Sequence, residues 1–265
     1  KIIITLSMFF SFTLVWANNI QISNISVIPA NNTIKFDLSW ENSWRSNTLN
    51  NWDAAWVFFK YKHINGNWVH IFLTNIGNVI PAGYTASFGT TNTENMGVFL
   101  YRSVAGFGNN TLANVELGIP AEQASGIHDI KAFAIEMVYV LGGAFYVGDG
   151  VSTNSYFYAS QPAGYVNSSN SVLYINDPLA GGSGLGLLQV TYPRGFDAFF
   201  CMKYELSQGG YRDFLNTLTY SQQTVHIVPA PNAVPGTYAL ANASRNSIKI
   251  KTSGTSTTLP AVFGC

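Results

Sequence analysis

Across 265 residues the chain carries a formal net charge of zero, and 10% of its residues are charged, against about a quarter in ordinary soluble domains. With neither a basic excess nor a basic run it lacks the electrostatic footprint of a nucleic-acid binder, and that class of partner is excluded. Aromatics at 14%, 24 Gly and plentiful Asn, Ser and Thr point instead to an extracellular, β-leaning protein with ample apolar material for a core.

The first residues, KIIITLSMFFSFTLVWA, read as a secretory signal, with a positive residue ahead of a short apolar run and small residues Val15 and Ala17 before a cleavage point. The run is short for a span of about 20 residues, and polar Asn18 and Asn19 follow it. Cleavage after Ala17 is therefore expected, leaving a secreted, periplasmic or cell-surface protein with no membrane anchor. The chain opens on Lys1 rather than Met, so an upstream start is also expected.

Short strands are predicted from Asn19 to Leu117. IQISNISVI alternates with a slip near Asn24, and TIKFDLSW puts Ile34, Phe36, Leu38 and Trp40 on one face. AAWVFFKYKHI is nearly continuously apolar and turns through INGN into GNWVHIFLT; MGVFLYRS and LANVELGI are two more strands. Their frequency predicts an antiparallel β-sandwich over residues 18–118. Trp40, Trp56 and Trp68 fall within strand patterns and read as core or anchoring residues. Trp44 and Trp52 flank the polar stretch SWRSNTLNNWD and are the candidate ligand-binding pair, an exposed aromatic platform for a surface glycan.

GIPAEQASG breaks the pattern, and residues 119–130 read as a linker. IHDIKAFAIEMVYVLGGAFYVGDG then gives two strand-like runs joined or interrupted at Gly142 and Gly143. Residues 149–190 read as a Gly/Ser/Asn-rich surface insertion whose AGGSGLGLL lacks the Lys-Ser/Thr ending of a phosphate loop. In FDAFFCMKYELSQGGYRDFLNTL a strand covered on both faces passes into a helix. Ser207 is its expected N-cap, and Tyr211, Phe214, Leu215 and Leu218 form its apolar stripe. Glu205, between apolar neighbours, is expected to be paired or bonded to backbone amides. Cys201 reads as a buried inert thiol, and the two cysteines, Cys201 and Cys265, define no disulfide framework. His63, His70, His128 and His226 form no close-spaced metal motif.

MVYVLGGAFYVG (137–148), MKYELS (202–207) and YRDFLN (211–216) together resemble, in order and character, the opening third to half of the formylglycine-generating enzyme family, also called sulfatase-modifying factors. Leu141 stands where the family commonly has Pro, and the insertion between the blocks is longer than usual. The resemblance implies that residues 131–265 form an incomplete α+β domain related to C-type lectin folds. Active relatives are implied to use copper and a reactive cysteine pair to oxidise a client sulfatase, with calcium as a further ion. Soft thiolates suit copper(I). The family's late cysteine block is not found before Cys265, so no catalytic, cofactor or metal residue is carried onto this chain. Two functions stay open: a full-length form that oxidises a cysteine of a client protein, and a non-catalytic binding or structural protein on the same scaffold.

Overall fold

The computed structural model describes residues 19–91, 94–124, 127, 129–147, 195–241, 245–255 and 259–265, with the backbone of four short strands between 156 and 187. The expected signal segment and most of the 149–190 insertion lie outside the described residues. Strand makes up 51% and helix 9%, so the mainly-β expectation holds. The front half runs β1 (Gln21–Ile28), β2 (Thr33–Ser46), β3 (Asn51–Lys62), β4 (Trp68–Ile71), β5 (Tyr84–Thr91), β6 (Glu94–Arg102), β7 (Gly106–Gly118) and α1 (Ala121–Ala124). Next come β8 (Ile130–Val140), β9 (Phe145–Tyr146), β10 (Tyr156–Ala159), β11 (Tyr165–Val166), β12 (Leu173–Asn176), β13 (Leu185–Leu187) and β14 (Phe199–Met202). The chain ends with α2 (Gln208–Leu215), α3 (Tyr220–Gln223), β15 (Lys249–Thr252) and β16 (Val262–Gly264).

Nine of these strands form one antiparallel sheet. Its alternation follows the side-chain period of two: Ile34, Phe36, Leu38 and Trp40 of β2 are each at most 1% exposed. They meet Leu112, Val115 and Leu117 of β7, Val57 and Phe59 of β3, and Val98 and Leu100 of β6 in one core. Phe36 and Phe59 pack edge to face with centroids 5.4 Å apart. The predicted slip in β1 is real: pairing with β2 shifts between Ser23 and Ser26, and Asn24 takes φ 52°, a left-handed conformation that Asn tolerates better than most residues. Asp37 on β2 secures this bulge and a matching one in β7. Its carboxylate accepts from Asn24 Nδ2 at 2.6 Å and from the Asn114 amide at 2.7 Å. Those bonds, the Asn114 amide foremost, hold Asp37 below the usual carboxylate range.

Residues 119–130 contain α1 and lead straight back into the same sheet. β8 pairs with β3 from Trp52 opposite Tyr139 to Tyr61 opposite Ile130, so the expected linker does not separate one sheet from another. On its other edge β8 pairs with β14, Met137 facing Met202 and Val140 facing Phe199. β9 pairs with β11 rather than with β8, so Gly142 and Gly143 interrupt the strand instead of turning a hairpin. β14 is not covered on both faces: Phe199 and Met202 are 45% and 50% exposed, and Cys201 is an exposed free thiol rather than a buried one.

The helix that follows starts where predicted but ends at Leu215, so Leu218 of the expected stripe lies just beyond it. Ser207 Oγ accepts from the Gly210 amide as N-cap, and Tyr211, Phe214, Leu215 and Leu218 join a second core with Ile227, Ile248, Ile250 and Phe263. Asn216 pairs both ways with the Phe263 backbone, and buried Gln223 bonds Leu215 and Ala261. The two motif segments are therefore neighbours through β8 and β14, yet Ala132 and Ala134 pack on the front core while α2 builds the other.

Gly142 explains its own position. A Cβ there would lie 2.8 Å from the Ala198 amide nitrogen and 3.0 Å from the Phe196 carbonyl, whereas one at Gly143 would meet nothing within 4 Å. Backbone cannot move aside as a side-chain tip can. Gly142→Ala is expected to cost about 1–3 kcal/mol in urea-denaturation stability and Gly143→Ala less than about 0.5 kcal/mol; equal costs would show that close approach is not what Gly142 provides.

Candidate functional site

Charged residues are scarce in this chain, yet three meet in its interior. Asp53 and Glu136 sit on facing strands and point to the core side, where Ala55 lies opposite Glu136 and Asp53 opposite Val138. Lys203, just past the end of β14, reaches both: its Nζ lies 3.0 Å from Asp53 Oδ2 and 3.1 Å from Glu136 Oε2. The three side chains are 9%, 0% and 3% exposed in the order Lys203, Asp53, Glu136. Asp53 also accepts from Trp40 Nε1 at 3.1 Å, Ser43 Oγ at 2.7 Å and the Trp44 amide at 3.1 Å. The third Lys203 donor goes to the Asn42 carbonyl at 3.0 Å.

The trio is anionic, since two carboxylates share one ammonium. Burial pushes Glu136 above the ordinary glutamate range; Lys203 pulls it back, while the charges of Asp53 and Glu41 add to the push. Burial alone would lower Lys203, but the hydrogen bond and charge of Asp53, followed by those of Glu136, more than offset it and hold the ammonium above its usual value. Arg102 extends the polar network outward, donating to Ser43 Oγ at 3.3 Å, while Asn110 donates to the same hydroxyl at 2.7 Å.

Trp44 and Trp52, expected as an exposed coplanar pair, do not form one surface. They lie on β2 and β3 themselves, both half-buried. Arg45 is the residue opposite Trp52, so Trp44, one position earlier, faces the other side of the sheet. Trp44 donates to Asn51 Oδ1 at 3.3 Å and lies with its ring 5.1 Å from Lys203 Nζ. Trp52 stacks on Tyr139 at 4.1 Å and Tyr101 at 5.4 Å, with the Arg45 guanidinium 4.6 Å from its ring. Its aromatic faces are occupied by protein.

Beyond Trp52 the outer face is a continuous aromatic layer, Phe200 stacking on Phe99 at 3.8 Å and Phe99 meeting Trp56 at 4.5 Å. Trp56 lies over Gly89 and Gly97, where a Cβ on either would sit 2.6 Å from its indole. Glu205, expected to be partnered, is exposed; the carboxylates that are buried and bonded are Asp53 and Glu136. Their signal in the sequence was a lone acid inside each apolar strand, NWDAAW and FAIEMV. His70 Nε2 lies 2.7 Å from the Met96 carbonyl, and among the described residues no group of three metal-binding side chains assembles. No described helix is long and apolar enough to cross a membrane. No protein-family model, curated protein or solved structure matches this chain.

Removing Lys203 leaves two buried carboxylates facing each other. Lys203→Met is expected to cost about 3–5 kcal/mol in urea denaturation, and Glu136→Gln less than about 1 kcal/mol because it removes surplus negative charge. The raised Glu136 value also sets a pH signature. Its contribution is full below the unfolded glutamate value of about 4.3 and is lost as pH rises through the higher folded value. The stability of Glu136→Gln relative to wild type should therefore grow between pH 4 and pH 8; a constant difference would place no excess charge at this residue.

Proposed function

We propose that this chain is a secreted binding or structural protein, with a front β-sandwich continuous with a formylglycine-generating-enzyme-like scaffold related to the C-type lectin fold. One observation carries the reading. The segments that resemble the family are antiparallel neighbours, β8 against β14, and the motif residues hold structural posts. Lys203 closes the ion trio, Ser207 caps α2, Phe214 and Leu215 pack the second core, and Asn216 ties down Phe263. Gly142 admits the neighbouring backbone. These are the duties of a support, on which the reacting groups of an active relative would be mounted from other segments.

The enzyme reading needs a copper-holding cysteine pair. Cys201 and Cys265, both free and exposed, stand outside the motif positions that the resemblance would assign to one. The glycan reading loses its platform, since Trp44 and Trp52 occupy opposite faces and Trp52 is stacked within the protein.

The test is direct. The chain is incubated with a cysteine-containing sulfatase peptide, copper and oxygen, and any aldehyde formed is trapped with a hydrazide probe and read by mass spectrometry. The scaffold reading expects no aldehyde above a protein-free control. Turnover-dependent aldehyde would reject it in favour of cysteine oxidation.

A further inference from the structure

The buried ion trio brings together the groups of a condensation reaction. Lys203 Nζ and Asp53 Oδ2 lie 3.0 Å apart on side chains that are 9% and 0% exposed, so an amine and a carboxyl are held in contact where water is nearly excluded. Confinement of this kind turns a bimolecular step into an intramolecular one. The carboxyl of Asp53 is polarised as an acyl group under attack would be. Its Oδ1 accepts from Ser43 Oγ at 2.7 Å and from the Trp44 amide at 3.1 Å, a pair of donors placed like those of an oxyanion hole. Ser43 Oγ itself accepts from Arg102 and Asn110, which leaves its own proton for Asp53. Glu136 is the member that charge balance does not require, since Asp53 alone neutralises Lys203. Its Oε2 lies 3.1 Å from the same nitrogen, within the reach of a general base, and burial pushes its carboxyl above the ordinary glutamate range.

We propose that Lys203 and Asp53 condense into an intramolecular amide, with Glu136 as the proton carrier. Glu136 takes one proton from the Lys203 ammonium and delivers it to Asp53 Oδ2. The neutral Nζ then attacks Asp53 Cγ, and Oδ1 takes the developing negative charge against Ser43 and the Trp44 amide. Glu136 moves a second proton from the nitrogen to Oδ2, the Cγ–Oδ2 bond breaks and one water leaves. The new Nζ–Cγ bond is an amide whose nitrogen keeps the last proton, and Glu136 is a carboxylate again. Two opposite buried charges are replaced by a neutral group, a change that burial favours. The bond ties β3 to the chain just beyond β14 across 150 residues, and it restricts the unfolded chain as a disulfide closing a long loop does. The urea comparisons of Lys203→Met and Glu136→Gln refer to wild type before this bond closes.

The experiment digests the folded full chain and reads its peptides by mass spectrometry. The expected result is a branched peptide joining Asp53 to Lys203, lighter by one water than its two component peptides together. Lys203→Arg keeps the cation without a competent amine, and Glu136→Gln keeps the shape without the proton carrier. Both should give linear peptides alone, while circular dichroism and a cooperative melt report an intact fold. Ser43→Ala keeps the trio and loses one oxyanion donor, so its bond, followed in time from synthesis, should close at least about tenfold more slowly. The proposal is overturned if folded wild type yields only linear peptides, if the branched peptide persists in Lys203→Arg or Glu136→Gln, if Ser43→Ala closes as fast as wild type, or if Lys203 is joined to Glu136 instead. A linear wild type would leave the scaffold reading in place, because the trio is defined without the family resemblance.

Discussion

The ammonium of Lys203 is the point on which the architecture turns. It is supplied by the chain just beyond β14, and it closes a charge cluster whose other members come from β3 and β8. Those strands are already joined by a long antiparallel ladder, but their two carboxylates would repel each other inside a low-dielectric interior. Bringing Lys203 down between them relieves that repulsion and in the same movement sets β14 against β8. The charge cluster is therefore less a source of net stability than a register device: β14 slipped by one residue would turn Lys203 to the outer face and leave Asp53 and Glu136 unpaired. Asp53 is fixed from the opposite side by Trp40, Ser43 and Trp44, so β2 is drawn into the same arrangement.

Much of the front core is readable from the sequence because burial on one face writes an alternation into a strand. Ile34, Phe36, Leu38 and Trp40 stand out by that alternation alone, and so does the irregularity at Asn24. The α2 stripe and its Ser207 cap are equally local. Other features are not local. Nothing near Asp53 or Glu136 in the chain announces Lys203, which is 150 and 67 residues away. Strand β5 does carry an alternation, Tyr84, Ala86 and Phe88 packing on the front core, but it is diluted by Thr, Ser and Gly; its Gly89 is needed as floor for an indole from β3, a demand visible only across the sheet. Trp44 and Trp52 mislead for a related reason. The polar residues between them suggest a long loop, whereas Asn50 takes φ 49° in a tight turn and both tryptophans stay on paired strands, where their opposite facings follow.

The outer face raises a separate balance. Trp52, Trp56, Phe99, Tyr101, Tyr139 and Phe200 would be an aggregation hazard as a bare row, yet all are half-buried. They lie against one another and against glycine, so ring-on-ring contact replaces much of their contact with water. Phe200 reaches the layer from β14, and Tyr139 from β8. The same docking event that buries Lys203 on one side of the sheet thus completes the aromatic cover on the other, and the polar and apolar sides of β14 reinforce a single placement.

This double fixing bears on where the protein can be divided. A boundary in residues 119–130 looks natural from composition, since Pro and Gly break the strand pattern there. Cutting the chain at that point would strip β8 from β3, exposing a row of unpaired backbone groups along β3 and leaving Asp53 buried without its cation. Residues 18–118 hold most of the front core but lack one of its strands, while residues 131–265 begin with a strand whose alanines belong to that core. Lys60, donating to Thr217 beyond the end of α2, adds a link from β3 to the second core. The compositional break marks a change of direction in the chain, since β8 beyond it pairs with β3 before it, and the segments that resemble a family domain begin inside that shared sheet.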